Sequence, residues 1–307
     1  MATVAEQSRG GLFYGVAAYV CWGLFPLYWP LLEPAGAFEV LAHRVVWSLV
    51  LCIGLLTVAH RWSAFGTIVR NPRQLLWLAL ASVVIAVNWG GFIWGVNNGH
   101  VIEVSLGYFI NPLVTVLLGV VVLKEILRRA QWLALALGTI AVVVLTIDYG
   151  RPPWLALTVS GSFAVYGFLK KRANLGALEA LGVETAILFP FALTFLLALQ
   201  LRGDLAFGHA GAGNLALLMG TGVVTAIPLL LFGAAATRLN LSTIGLLQYL
   251  GPILQFILGL TVFGEQMGSA RWFGFVLVWL ALVVFTVDAW RSRRRSLRQA
   301  AEGSTVL

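Results

Sequence analysis

An all-α membrane protein of ten transmembrane helices, arranged as two inverted five-helix repeats, is the fold class that this sequence predicts. Three observations lead there. Of the 307 residues 60% are hydrophobic and only 10% charged, and the mean hydropathy is +0.92, whereas a soluble domain carries about 25% charged residues. The apolar residues fall in runs of about 20, the length that crosses the hydrocarbon core of a bilayer. Ser105–Asp148 also recurs without a gap 140 residues later as Gly245–Asp288, with 14 of 44 positions identical. Pro112 then meets Pro252, Gly119 meets Gly259, Glu125 meets Glu265, Trp132 meets Trp272 and Asp148 meets Asp288. Apolar identities are cheap in such a chain, but Pro, Gly, Glu, Trp and Asp at one fixed offset mark a duplication.

Taken in order, the predicted spans are 11–31, 37–59, 74–96, 101–123, 130–148, 153–170, 178–200, 213–235, 241–263 and 270–290. The first follows a single arginine and outruns a signal-peptide core, so it reads as a retained helix. The second opens with Glu39, His43 and Arg44. The third carries Asn88, Trp89 and Trp94, and the fourth carries Glu103 and a central Pro112. The seventh carries Glu184, and the ninth a central Pro252. Connections of a few residues leave no room for a soluble domain. The first repeat is therefore 1–150, the second 151–290, and 291–307 forms a basic tail. At offset 140 Phe92 also meets Phe232, Glu39 meets Glu179 and Arg44 meets Glu184. The first and sixth helices align better at offset 144, where Trp22-Gly23 meets Tyr166-Gly167. An odd number of spans per repeat makes the second copy enter from the opposite side, the arrangement of many alternating-access carriers.

Charge fixes the expected orientation. With the N-terminus in the cytoplasm, 16 of the 20 Lys and Arg residues lie on that side, which the positive-inside rule requires. Both termini are then cytoplasmic. The run Arg291–Arg298 anchors topology, with contact to anionic lipids as a second role. The net charge of +8 comes without an aromatic-basic surface, so no nucleic-acid partner is expected. Cys21 and Cys52 fall inside spans and read as small packing residues.

The same pattern locates a site. Proline removes a backbone donor and disturbs the preceding turn, and in lipid the freed groups persist where they face protein or water. Beside Pro112, residues Tyr108, Asn111 and Thr115 share one helical face. Their counterparts beside Pro252 are Gln248, Gly251 and Gln255. Two readings stand: a polar-walled central cavity between the repeats, to which Asn88 and Trp89 contribute, or hydrogen bonds between helices. Glu39, His43, Arg44 and Glu103 belong near the outer face, where Arg44 would pair with Glu103 or Glu39, either closing a vestibule or touching substrate. Histidine 43 would pair with Glu39 at i, i+4. Glu184 stands apart from other ionisable groups and either carries a coupling proton or caps a neighbouring helix. Glu125 and Glu265 read as helix-end contacts. Trp62, Trp132, Trp154, Trp272 and Trp290 read as interfacial anchors. The sequence has no Walker-type phosphate loop and no metal-ligand or nucleophile–base constellation within the spans. No cofactor, metal or enzymatic activity is expected.

Several strings are specific. Ala42-His43-Arg44-Val45-Val46-Trp47-Ser48, Asn88-Trp89 through Trp94-Gly95-Val96-Asn97-Asn98, and Ser105-Leu106-Gly107-Tyr108-Phe109-Ile110-Asn111-Pro112-Leu113 resemble the RarD branch of the EamA-type drug/metabolite transporters. Ala234–Leu239 and Gln248-Tyr249-Leu250-Gly251-Pro252 extend the resemblance over nearly the whole chain. It implies a ten-helix inner-membrane permease of two inverted repeats, in a superfamily that moves amino acids, metabolites and drugs, and it favours export over import. The expected function is secondary transport of small organic solutes by alternating access, with membrane lipids as surroundings and protons as a possible coupling ion. The rival readings are a non-transporting receptor or assembly subunit, and an intramembrane enzyme.

Overall fold

A computed structural model gives the fold and describes residues 4–124, 126–236, 238, 239, 244 and 247–304. These form eleven α-helices with no strand among them. The helices are α1 (Val4–Leu24), α2 (Ala37–Val58), α3 (Trp62–Val69), α4 (Pro72–Asn97), α5 (Val101–Leu123) and α6 (Arg129–Tyr149). Then come α7 (Trp154–Ala173), α8 (Ala177–Arg202), α9 (Gly211–Ala236), α10 (Leu250–Thr261) and α11 (Ser269–Ser304). Eight of them are long and apolar enough to cross a membrane. Helix α7 falls outside that set because it carries Ser160, Ser162, Gly161, Gly167 and Lys170, and α10 because its described part has 12 residues. Large apolar side chains face outward, among them Phe13, Ile147, Phe191 and Leu201. An apolar exterior on this scale suits lipid.

Local chemistry explains where elements stop. The first span does not run on as one helix to residue 31. Instead α1 ends at Leu24 and two 3-10 turns follow, Phe25–Leu27 and Trp29–Leu32, each with a proline near its start. Pro26 and Pro30 supply no N–H for a continuing α-helical ladder. Trp29 and Leu32 are nonetheless fully buried. Helices α6 and α8 end at Gly150 and Gly203 with φ of 65° and 76°, a left-handed cap that glycine adopts without steric cost. Helix α3 was not expected. Its Phe65 and Ile68, three residues apart on one face, pack on Leu78, Ala180 and Val183.

The packing joins the two halves of the chain throughout. Helix α1 packs on α9 and α10, while α4 and α5 pack on α7. Helix α2 lies against α8 and α9, and α8 also touches α4. The pairs α5–α10 and α6–α11 also pack together, and α5 touches α11 and α3 touches α8. Helices α6 and α11 run antiparallel, with an ion pair near each end. Arg271 Nε donates to Asp148 Oδ2 at 2.6 Å, and Arg128 Nη2 lies 2.6 Å from Asp288 Oδ2. Backbones come closest where one residue lacks a side chain. A Cβ on Gly107 would lie 2.8 Å from the carbonyl oxygen of Ala156, and one on Gly222 would lie 2.4 Å from that of Trp47. Small residues at such crossings are how membrane helices associate.

Candidate functional site

Helix α2 brings Glu39, His43 and Arg44 into the protein, and all three are buried. The expected pairing of Arg44 with Glu39 or Glu103 does not form. Glu39 accepts N–H groups from Ala206 and Phe207 at 2.9 and 3.1 Å, fixing the connection between α8 and α9. Glu103 accepts from Arg151 Nη2 at 2.9 Å and from the backbone N–H of Leu155 at 3.1 Å, tying α5 to the start of α7. His43 lies 3.8 Å from Glu39, beyond hydrogen-bond length, with its ring 4.6 Å from that of Phe207. Glu103 satisfies a donor in the first turn of α7, which has no partner within its own helix, and Glu39 satisfies two donors of the loop between α8 and α9.

Arg44 is instead held by aromatic rings. Its guanidinium carbon lies 4.0 Å from the ring centre of Trp89, 5.3 Å from Trp29 and 5.7 Å from Phe25. Its Nε donates to Thr225 Oγ1 of α9 at 2.9 Å. Among the described residues no carboxylate lies within 4.0 Å of it. A desolvated cation–π contact is worth about 2 kcal/mol. Taking an ion out of water costs several kcal/mol. Three such faces offset a cost of the same order, but they supply no counter-charge.

Asn88 and Asn111 both bond to α7, and Tyr108 joins them through Asn88. Asn88 Nδ2 donates to the Val159 carbonyl at 2.8 Å and to Ser162 Oγ at 3.1 Å, while its Oδ1 accepts from Tyr108 at 3.3 Å. Asn111 donates to the Ser160 carbonyl at 3.1 Å. The Tyr108 ring packs edge-on against Phe163. Sequence reasoning placed no site residue on α7; the closely spaced Ser160 and Ser162 were the available signal. On the other side Gln255 is buried and donates to the Trp22 carbonyl at 3.1 Å. Gln248 is half-buried in the turn before α10, and Thr115 is exposed, apart from the cluster. Asn88, Asn111 and Gln255 thus all make bonds between helices, whatever cavity they border.

The prolines differ. Pro112 is buried inside an unbroken α5, whereas Pro252 is the third residue of α10, directly after a turn at Gln248 and Tyr249. Proline in a first helical turn leaves no interior hydrogen bond unmade.

Glu184 is not solitary. It accepts from Lys170 Nζ at 2.8 Å and from Tyr166 at 3.0 Å, both on α7, and is almost fully buried. Glu265 caps α5 through the N–H groups of Val101 and Ile102. Burial pushes its carboxyl up to about 7, against the pull of those two donors. Glu125, its counterpart, lies outside the described residues, as does Thr237 of the Ala234–Leu239 string. Separately, an apolar groove of about 670 Å³ opens between α2, α4, α7 and α8, bordered by Phe38, Val87, Trp94 and Phe191. No group of three metal-ligating side chains occurs among the described residues.

Known proteins share this sequence and fold. The EamA-like transporter family matches residues 9–147. Protein RarD of Streptomyces exfoliatus is 55% identical over 98% of this chain and 96% of its own length. Protein RarD of Escherichia coli K12 is 41% identical over 95% of this chain and 99% of its own. A relative in Pseudomonas aeruginosa called chloramphenicol-sensitive protein RarD is 30% identical over 96% of this chain and 99% of its own length. A solved crystal structure superposes with a TM-score of 0.58 over 92% of this chain and 98% of its own, at 18% identity, a likeness of fold alone. With this identity over almost its full length, and with its apolar helices, the chain is a multi-pass membrane protein that belongs to the RarD family of EamA-like transporters.

Proposed function

We propose that the chain is an inner-membrane secondary transporter that carries small organic solutes, such as metabolites, amino acids or drugs, by alternating access. In this reading ten helices cross the membrane, residues 1–150 and 151–290 form inverted repeats, and both termini are cytoplasmic. One observation carries it: the main helix contacts between the halves are reciprocal, the smaller α5–α11 contact being the exception. If α1, α2, α4, α5 and α6 correspond to α7, α8, α9, α10 and α11, then α1–α9 has its counterpart in α4–α7, α1–α10 in α5–α7, and α2–α9 in α4–α8. The pairs α2–α8, α5–α10 and α6–α11 map onto themselves. A two-fold axis in the membrane plane generates such a pattern. The Arg271–Asp148 and Arg128–Asp288 pairs follow it approximately, with the two aspartates aligned and the arginines three positions out of register. The substrate site would lie where Arg44, Asn88, Trp89, Tyr108, Asn111 and Gln255 approach the interface of the halves. Thr115 and Gln248 would lie at its margins, and the gating or coupling groups would be Glu39, His43, Glu103 and Glu184.

Single cysteines at positions 108, 111, 248 and 255 test the site in a background lacking Cys21 and Cys52. Water-soluble maleimide is expected to label them from either side of the membrane, with substrate protecting. Absence of labelling at all four would favour a receptor or assembly subunit. Proton coupling has its own test. Glu184→Gln is expected to abolish the pH dependence of solute flux into proteoliposomes. A pH profile unchanged from wild type would remove this carboxylate as the proton carrier.

A further inference from the structure

We propose that Arg44 is an anion-binding residue and that the solute carries a single carboxylate, or an equivalent anionic group, on an apolar body. The inference rests on the transport reading for its setting, but on different observations. Every buried acid among the described residues already has its donors. Glu39 has the N–H groups of Ala206 and Phe207, Glu103 has Arg151 and Leu155, Glu179 has Arg61, and Glu184 has Lys170 and Tyr166. Arg44, the one lysine or arginine buried among the described residues, has no carboxylate within 4.0 Å. Its exposure is 4%, and of its five N–H groups only the one on Nε has an acceptor among the described residues.

A second observation points the same way. The indole Nε1–H of Trp29 is buried without an acceptor, in a ring whose centre is 5.3 Å from the guanidinium carbon. Two neighbouring groups, the Arg44 guanidinium and the Trp29 indole, thus hold N–H donors that no described acceptor meets. The chemistry that completes such a set is an acceptor with negative charge, and a guanidinium fork matches a carboxylate with two parallel bonds. The surroundings specify the rest of the ligand. Trp89, Trp29 and Phe25 surround the guanidinium, so the remainder of the solute would lie against aromatic faces rather than water. The repeat counterpart of Arg44 is Glu184, whose charge Lys170 already neutralises. The two halves therefore do not offer a matched cation and anion, and the recognised charge is one-sided.

The test is binding, measured apart from flux. Purified protein in detergent is titrated with benzoate, phenylacetate, indole-3-acetate and succinate, each beside its own amide, and thermal stabilisation and tryptophan fluorescence are read. At least one aromatic carboxylate is expected to stabilise the protein while its amide does not. Arg44→Gln is expected to weaken that binding on the order of 100-fold, and Arg44→Lys by about tenfold, since a charge remains but the fork is gone. Chloride at equal ionic strength separates an organic anion from an inorganic one. Amides as effective as carboxylates, chloride alone as the stabiliser, or unchanged binding in R44Q would each overturn the assignment. Should R44Q fail to fold, the carboxylate-against-amide comparison on the wild type still decides. Binding without flux would sink the transport reading and leave this one standing; flux of neutral solutes with no anion binding would do the reverse.

Discussion

Replacing Lys170 with methionine is expected to be the most damaging single charge deletion in the chain. Glu184 would then keep only Tyr166 as a partner while remaining almost fully buried. Removing one member of a buried ion pair costs about 3–5 kcal/mol, because the other charge is left uncompensated. Thermal unfolding in detergent should show that loss as a much lower midpoint. Combining K170M with Glu184→Gln should recover most of it, since the remaining amide and the phenol of Tyr166 can still bond. A K170M protein that melts with the wild type would mean that Glu184 is protonated or solvated in the folded state. The double variant is also informative about function: a folded protein whose flux no longer responds to pH separates the proton from the fold.

The second large effect is steric. Gly222 of α9 faces the backbone of α2, and a Cβ there would lie 2.4 Å from Trp47 O and 3.0 Å from Ser48 N. Backbone atoms inside a helix cannot move aside as a side-chain tip can. Gly222→Ala should destabilise by about 1–3 kcal/mol, the usual range for overpacking, and Gly222→Leu should prevent the α2–α9 contact altogether. Gly161 is the internal control. It is also helical, but nothing lies within 4 Å of its missing Cβ. Gly161→Ala should therefore be neutral or stabilise by up to about 1 kcal/mol through helix propensity. If both alanine variants melt alike, the close approach of α2 and α9 is not a contact that holds the bundle. The consequence reaches the site, because Thr225 lies one turn along α9 and accepts the Nε–H of Arg44.

These effects also mark how far the sequence could be read. Hydropathy located the long helices because lipid imposes one length on every span. The repeat set Arg44 against Glu184 by position. It could not give either residue its neighbours. Arg44, Glu39 and Glu103 were expected at one depth, and depth says nothing about which direction around a helix each side chain points. Ala206, Phe207 and Leu155 took the acids through backbone donors, which no residue type announces. Helix α7 was read as an ordinary span, so Ser160, Ser162 and Tyr166 were missed as partners of Asn88, Asn111 and Glu184. Pro112 and Pro252 share an aligned column yet differ in setting, since one lies within a continuous helix and the other starts one. Helix α3 escaped because eight residues hold too few turns for periodicity to register.

The two Arg–Asp contacts between α6 and α11 restrict what the molecule can do. Because one latches each end of an antiparallel pair, displacing α11 along α6 by one helical turn, about 5.4 Å, would break both at once. A tilt about the line joining them would break neither. Whatever rearrangement the protein undergoes, this edge is built to resist sliding and to tolerate tilting.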